Sequence, residues 1–221
     1  MLLGSVQPTY LPWLPFFKRM SVSDVFVYLD DVEFSKNSPH NRNRIKTASG
    51  PLMLTVPVRY KGNSRAFLHE MPVASSDSWA AKHWRSIQQS YSKAKHFSEL
   101  APILRPLYER EWGSLGDLNI AFIEAFREFL GIETPCYRSS ALAVEGQGNQ
   151  KLVNLCRRLG ADRFIVKPGT HGYHPAEEFL PHGIGFEYFD YSVPPYPQLY
   201  GEYVPFLSVL DYAMNCGEAR L

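Results

Sequence analysis

Two short apolar runs near the start of the chain, Leu2 to Val6 and Val25 to Leu29, leave few folds open. The second, Val25-Phe26-Val27-Tyr28-Leu29, is β-branched and aromatic, a composition typical of a central strand. Between them Leu14 to Met20 can form a helix, with Pro15 tolerated only in its first turn. Strand, helix and strand within about 30 residues make a parallel βαβ unit.

The rest of the chain extends that pattern. Leu52 to Val58 reads as a strand whose Pro57 marks an edge or an end, and Phe67 to Val73 as a further short strand. Helical periodicity follows over Ser78 to Phe97, Ala101 to Trp112 and Leu118 to Leu130, the last stopped by Gly131. Strands are expected at Tyr137 to Ala143, Arg163 to Lys167 and Ile184 to Tyr191. Helices are expected at Gln150 to Leu159, Pro175 to Leu180 and from near Phe206 to Asn215, with Ser192 to Pro205 a loop. Strands and helices alternate at both ends around a helical stretch. The expected fold is one α/β domain over residues 1–221, a mainly parallel Rossmann-like sheet flanked by helices, with a helical block at about 76–131.

Composition narrows the function. Hydrophobic residues make up 45% and charged residues 20% of the chain, ordinary globular usage. A net charge of +1 supplies no whole-molecule field for nucleic acid or anionic membrane, so no nucleic-acid partner is expected and anion binding must be local. No apolar run reaches the roughly 18 residues of a membrane span, and the start lacks the basic n-region of a signal peptide. Three widely spaced cysteines, Cys136, Cys156 and Cys216, form no CxxC pair and point to reduced thiols in a cytoplasmic protein without a thiolate metal site.

The chemistry concentrates in the polar block from Asp30 to Lys46. Asp30, Asp31 and Glu33 follow directly on a buried-looking strand, and Asn41-Arg42-Asn43-Arg44-Ile45-Lys46 comes soon after. Ligands of open α/β sheets bind outside the carboxyl ends of the strands, the position Asp30 and Asp31 occupy. The arginines offer two guanidinium forks for phosphate or carboxylate, and the asparagine amides can meet sugar hydroxyls or backbone. The carboxylates can hold the arginines, bind a cation or act as general base. A solvated salt-bridge network on a surface loop is the competing reading.

Other segments join this block if the first two strands are adjacent. Gln7-Pro8-Thr9-Tyr10-Leu11-Pro12-Trp13 then lies at the same sheet edge, where Gln7 can read a ligand and Tyr10 or Trp13 can stack on it. A proline-fixed strand exit with its aromatics in the core is the alternative. Lys167 to His174 carries two glycines, a threonine, His171 and His174 after another expected strand, without the spacing of a P-loop. In the Pro194 to Pro205 segment, Tyr196, Gln198 and Tyr200 share one side if the chain is extended, with Glu202 beyond.

With these blocks in view, the chain resembles the WbqC-like family of bacterial proteins. The resemblance rests on Gln7 to Trp13, Asp24 to Phe34, Asn41 to Lys46 and Leu54 to Val58, and continues through Tyr196 to Glu202 and Leu207 to Asp211. The chain departs from the usual pattern at Pro39-His40, where an aromatic often stands, and at Phe206, where Asn is common; both bear on the substrate. Family members look like enzymes of O-antigen and other surface polysaccharide biosynthesis, and the resemblance implies acyl or aminoacyl transfer, glycyl among the groups, to a sugar or sugar nucleotide. The expected roles are Asp30 or Asp31 as general base with His171 in reserve, and Asn41, Arg42, Asn43, Arg44 and Lys46 as an anion clamp. Gln7, Tyr10, Gln198, Tyr200 and Glu202 complete substrate binding. The expected partners are a small-molecule sugar or acyl donor and, as a further candidate, a carrier protein; no cofactor follows from the residues. A non-catalytic sugar-nucleotide or carrier-binding module and a nucleotidyltransferase-like enzyme are the alternatives.

Overall fold

The computed structural model describes residues 1–75, 78–167 and 176–217. Its centre is a five-stranded sheet ordered β5-β2-β1-β6-β7, built from β1 (Leu2–Val6), β2 (Val25–Tyr28), β5 (Cys136–Arg138), β6 (Arg163–Val166) and β7 (Gly185–Tyr188). Every pairing in it is parallel, and Val6 lies opposite Tyr28 in the register of the first pair. The expected βαβ unit is therefore present, with α1 (Leu14–Ser21) as its crossover and Pro15 in the first turn of that helix.

Both faces of the sheet are covered, which explains the unbroken apolar run of β2. Phe26 and Tyr28 point into the larger core, while Val25 and Val27 point into a smaller one. The larger core is closed by α1, by the helical block α2 (Trp79–Tyr91), α3 (Phe97–Glu109) and α4 (Leu115–Phe129), and by the C-terminal α7 (Val209–Cys216). The smaller core lies under α6 (Gly148–Leu159), whose Leu152, Val153, Leu155 and Cys156 pack on Leu3 and Phe164. Gly160 ends α6 in the left-handed conformation at φ 73°, the position where glycine meets no Cβ penalty.

The Asn-Arg-Asn-Arg block, to which the sequence assigns no element, forms β3 (Arg42–Thr47), paired antiparallel with β4 (Gly50–Thr55) in a separate hairpin. The segment from Tyr137 to Ala143 is a strand only to Arg138. It then turns into the one-turn α5 (Ser139–Leu142), because Ser139 and Ser140 are drawn into hydrogen bonds with Asp30 rather than into a ladder. Phe67 to Val73 contributes isolated bridges to Glu33, Val58 and Ser114 in place of a strand.

All three cysteines are free, and Cys156 is buried. No helix among the described residues is long and apolar enough to cross a membrane.

Candidate functional site

The carboxyl ends of β2 and β5 meet at Asp30. Its side chain is fully buried, a position a carboxylate holds only when its charge is compensated. Arg138 Nε donates to Oδ2 at 2.7 Å, Ser140 Oγ to the same atom at 2.7 Å, and the Ser140 amide to Oδ1 at 2.9 Å. Burial pushes the Asp30 pKa up, but the Ser140 amide and hydroxyl and the Arg138 guanidinium outweigh it and hold the carboxyl below its ordinary range. The Asp30 carbonyl accepts from both the backbone amide and Nδ1 of His69, each at 3.0 Å. Arg138 also donates to Asp117, at 2.7 Å, in the first turn of α4.

Asp31 is placed differently. Its side chain is 16% exposed and forms an ion pair with Lys151, 14% exposed, in the first turn of α6. The single proton of the Ser139 hydroxyl faces Asp31 Oδ1 at 2.5 Å and Asp30 Oδ1 at 3.2 Å, so the shorter contact, to Asp31, carries it. Ser139 Oγ in turn accepts the Asp30 amide at 3.1 Å. The two neighbouring carboxylates thus differ in kind: Asp30 is a buried tie with its acceptors filled, and Asp31 is the one reachable from solvent.

Strand geometry sorts the second half of the polar block. Along β3 alternate residues point to opposite faces, which puts Arg42, Arg44 and Lys46 on one face and the asparagine on the other. The asparagines are spent on the backbone: Asn41 Nδ2 donates to the Val56 carbonyl at 2.7 Å and Asn43 Nδ2 to the Leu11 carbonyl at 2.6 Å. Arg42 uses one donor on Asn37 Oδ1 at 2.6 Å and lines an open pocket of about 250 Å³ with Phe34, Lys36 and Tyr60. Arg44 reaches the Phe206 carbonyl at 3.3 Å. Each guanidinium has five N–H donors, so both retain donors for an anion. No hydrogen bond or ion pair among the described residues links either arginine to Asp30 or Asp31.

The remaining expected site residues fall into three groups. Gln7 is exposed at the end of β1, and its Oε1 meets His40 Nε2 at 2.7 Å. Because His40 Nδ1 accepts the Ser35 amide, Nε2 carries the proton and donates to Gln7; burial lowers the His40 pKa to about 4, so the ring is neutral. Tyr10 is fully buried, its hydroxyl shared between His83 Nδ1 at 2.9 Å and Tyr108 at 2.8 Å, so it packs the core rather than facing a ligand. Lys46 is buried as well, donating to Gln198 Oε1 at 3.1 Å and to the Glu202 carbonyl.

Tyr196, Gln198 and Tyr200 do not lie on a regular extended strand, Tyr200 being left-handed at φ 64°, and each is held by hydrogen bonds to protein. Tyr196 donates to Asp211 at 2.9 Å, Gln198 to the Val204 carbonyl at 3.0 Å and Tyr200 to the Ser90 carbonyl at 2.7 Å. Gln198 and Glu202, through Lys46, tie the long C-terminal loop to β3, and Tyr200 ties it to the end of α2; of these three loop residues Tyr200 and Glu202 stay exposed. His171 lies outside the described residues. Arg138, Ser139, Ser140 and Lys151 escaped the sequence reading; the polar run Arg138-Ser139-Ser140 fell inside the strand expected from Tyr137 to Ala143, although such a run is a usable signal of a strand end.

A parallel α/β sheet carrying an acidic-basic cluster at its carboxyl edge defines the class: an open-sheet α/β protein with polar side chains gathered outside its strand ends. The chain belongs to the WbqC-like protein family, whose model matches residues 7–221. The uncharacterized protein Rv1507c of Mycobacterium tuberculosis (strain ATCC 25618 / H37Rv) is 35% identical over 214 residues, which cover 96% of this chain and 92% of that protein. No solved structure matches the chain.

Proposed function

We propose that this protein transfers an acyl or aminoacyl group to an amine or hydroxyl of a sugar or sugar nucleotide, with Asp31 as the base. The observation that carries the reading is the contrast between the two carboxylates. Asp30, with its carboxyl held ionised and its acceptors occupied, has no free lone pair aimed at solvent, whereas Asp31 sits at the mouth of the cluster.

In the reaction the acceptor O–H or N–H attacks the carbonyl carbon of the acyl donor. The proton moves to Asp31, the new C–O or C–N bond forms, and the bond to the leaving group breaks as the proton is returned to that group. Lys151, already beside Asp31, supplies a cation for the developing oxyanion or a donor phosphate. Arg42 and Arg44, on one face of β3, hold the anionic part of a substrate.

A binding module that delivers a sugar nucleotide to another enzyme is the second reading, favoured by the same Asp31–Lys151 ion pair, which leaves the base partly neutralised. The two separate by mass spectrometry of purified protein with activated acyl donors and amino-sugar acceptors. Transfer that falls more than about tenfold in Asp31→Asn supports the enzyme, a loss of about 1.4 kcal/mol in transition-state stabilisation. Tight binding with no product over a wide donor panel supports the module instead.

A further inference from the structure

The strand order has a consequence away from the carboxylate cluster. From β1 the chain passes to β2 on one side and later, through β5 and α6, to β6 on the other, so the connections reverse direction between β1 and β6. In open α/β sheets this reversal opens a crevice at the carboxyl ends of the two strands. A pocket of about 230 Å³ lies there, with Val6 from the end of β1 and Lys167 just past β6 at its base. Its walls are Trp13, Phe16 and Arg19 of the α1 segment on one side and Phe189, Asp190 and Tyr191, which follow β7, on the other.

Arg19 gives the pocket its chemistry. It is half-buried, and burial alone lowers its pKa, with no carboxylate among the described residues to offset the cost. The Phe189 ring, 5.9 Å from the guanidinium carbon, and the C-terminal end of α1 offset part of that cost. Neither is an anion, and five N–H donors remain beside open space. The rings of Phe189 and Tyr191 stack at 6.2 Å and 16°, leaving flat apolar surface in the same pocket. Asp190, exposed on the rim, is an acceptor suited to hydroxyl groups.

We infer that this pocket is a binding site for a phosphorylated, hydroxyl-bearing small molecule of the class of nucleoside phosphates and sugar phosphates. The phosphate pairs with Arg19, the base or sugar ring lies against the aromatic wall, and a hydroxyl donates to Asp190. The site is separate from Asp31 and does not depend on the transfer reaction.

The test uses the full chain and calorimetric titration with UMP, AMP, glucose 1-phosphate, uridine and inorganic phosphate, alongside thermal melts. One of the organic phosphates is expected to bind at least tenfold more tightly than inorganic phosphate, and uridine to bind no better than it. Which of the two kinds binds tells the nucleotide from the sugar phosphate. Arg19→Met is expected to cut that affinity at least tenfold while the unliganded melting temperature holds or rises, because an uncompensated charge is removed. Asp31→Asn is expected to bind as the parent does, so a failed transfer assay leaves this site standing. Two results would overturn it: no organic phosphate binding at millimolar concentration, or Arg19→Met binding as tightly as the parent.

Discussion

Arg138 Nε donates to Asp30 Oδ2 at 2.7 Å, and this contact closes the ends of β2 and β5 over a carboxylate that has no access to water. Breaking such a tie leaves an uncompensated partner behind. Asp30→Asn keeps the shape but removes the charge that Arg138 faces. It is expected to lower unfolding free energy by about 3 kcal/mol. Asp31→Asn, at a partly exposed pair, is expected to cost about 1 kcal/mol or less. Urea unfolding of both variants measures the difference; equal losses would contradict the division between a structural and a reachable carboxylate.

The backbone of Asp30 is fixed by His69, and His69 is fixed by the start of α4. The Gly116 amide donates to the Leu68 carbonyl at 2.8 Å, and a Cβ on Gly116 would stand 2.8 Å from the Cα of His69. That neighbour is backbone and cannot rotate away. Gly116→Ala is therefore expected to destabilise by about 2 kcal/mol despite alanine's higher helix propensity. Thermal melts read the loss, and an unchanged or higher midpoint would contradict the close approach.

The sheet was legible because its strands obey simple rules: Leu2 to Val6 and Val25 to Tyr28 are apolar, short and separated by one helix. The helical block was legible from its apolar spacing, down to Gly131 past the end of α4. β3 was not, because its outward face is Arg42 and Arg44 and its inward face starts with asparagines bonded to backbone, so apolar alternation appears only at Ile45. The alternation of Asn and Arg was itself a period of two, and it separates positions that sequence proximity had grouped. Half of the candidate site stayed hidden for another reason. Arg138 and Lys151 reach Asp30 and Asp31 across more than a hundred residues, and only the parallel pairing of β2 with β5 and the placement of α6 bring them there.

Burial of imidazoles makes stability depend on pH. His40 and His83 are both buried, and burial lowers each pKa from 6.5 to about 4. Between those values the unfolded chain binds more protons than the folded one, so stability falls as pH falls from about 6.5 towards 4. Each group contributes at most about 1.4 kcal/mol per pH unit. Asp30, with its pKa held low, extends the loss further into acid, while Asp211, with its pKa raised by burial, works in the opposite direction. His83→Phe leaves Tyr10 its bond to Tyr108 and is expected to flatten the slope between pH 6.5 and 4.5, read as urea midpoints across that range. A slope equal to the parent's would remove His83 from the account.

The Asn-Arg-Asn-Arg strand yields the sharpest separation of stability from binding. Arg42 and Arg44 are half-exposed, and each side chain makes one hydrogen bond among the described residues, so alanine at either is expected to change stability by about 0.5 kcal/mol or less. If they hold the anionic part of a substrate, the same variants lose at least about tenfold in its affinity, which is about 1.4 kcal/mol. Asn43 is the control on the opposite face. Its amide donates to the Leu11 carbonyl at 2.6 Å and its Oδ1 accepts the Arg44 amide at 2.8 Å, so Asn43→Ala is expected to lose about 1 to 2 kcal/mol of stability. Paired melts and substrate titrations on the three variants check this. Arginine variants that destabilise without losing affinity, or an asparagine variant that loses affinity at unchanged stability, would show that the ligand meets the other face of β3.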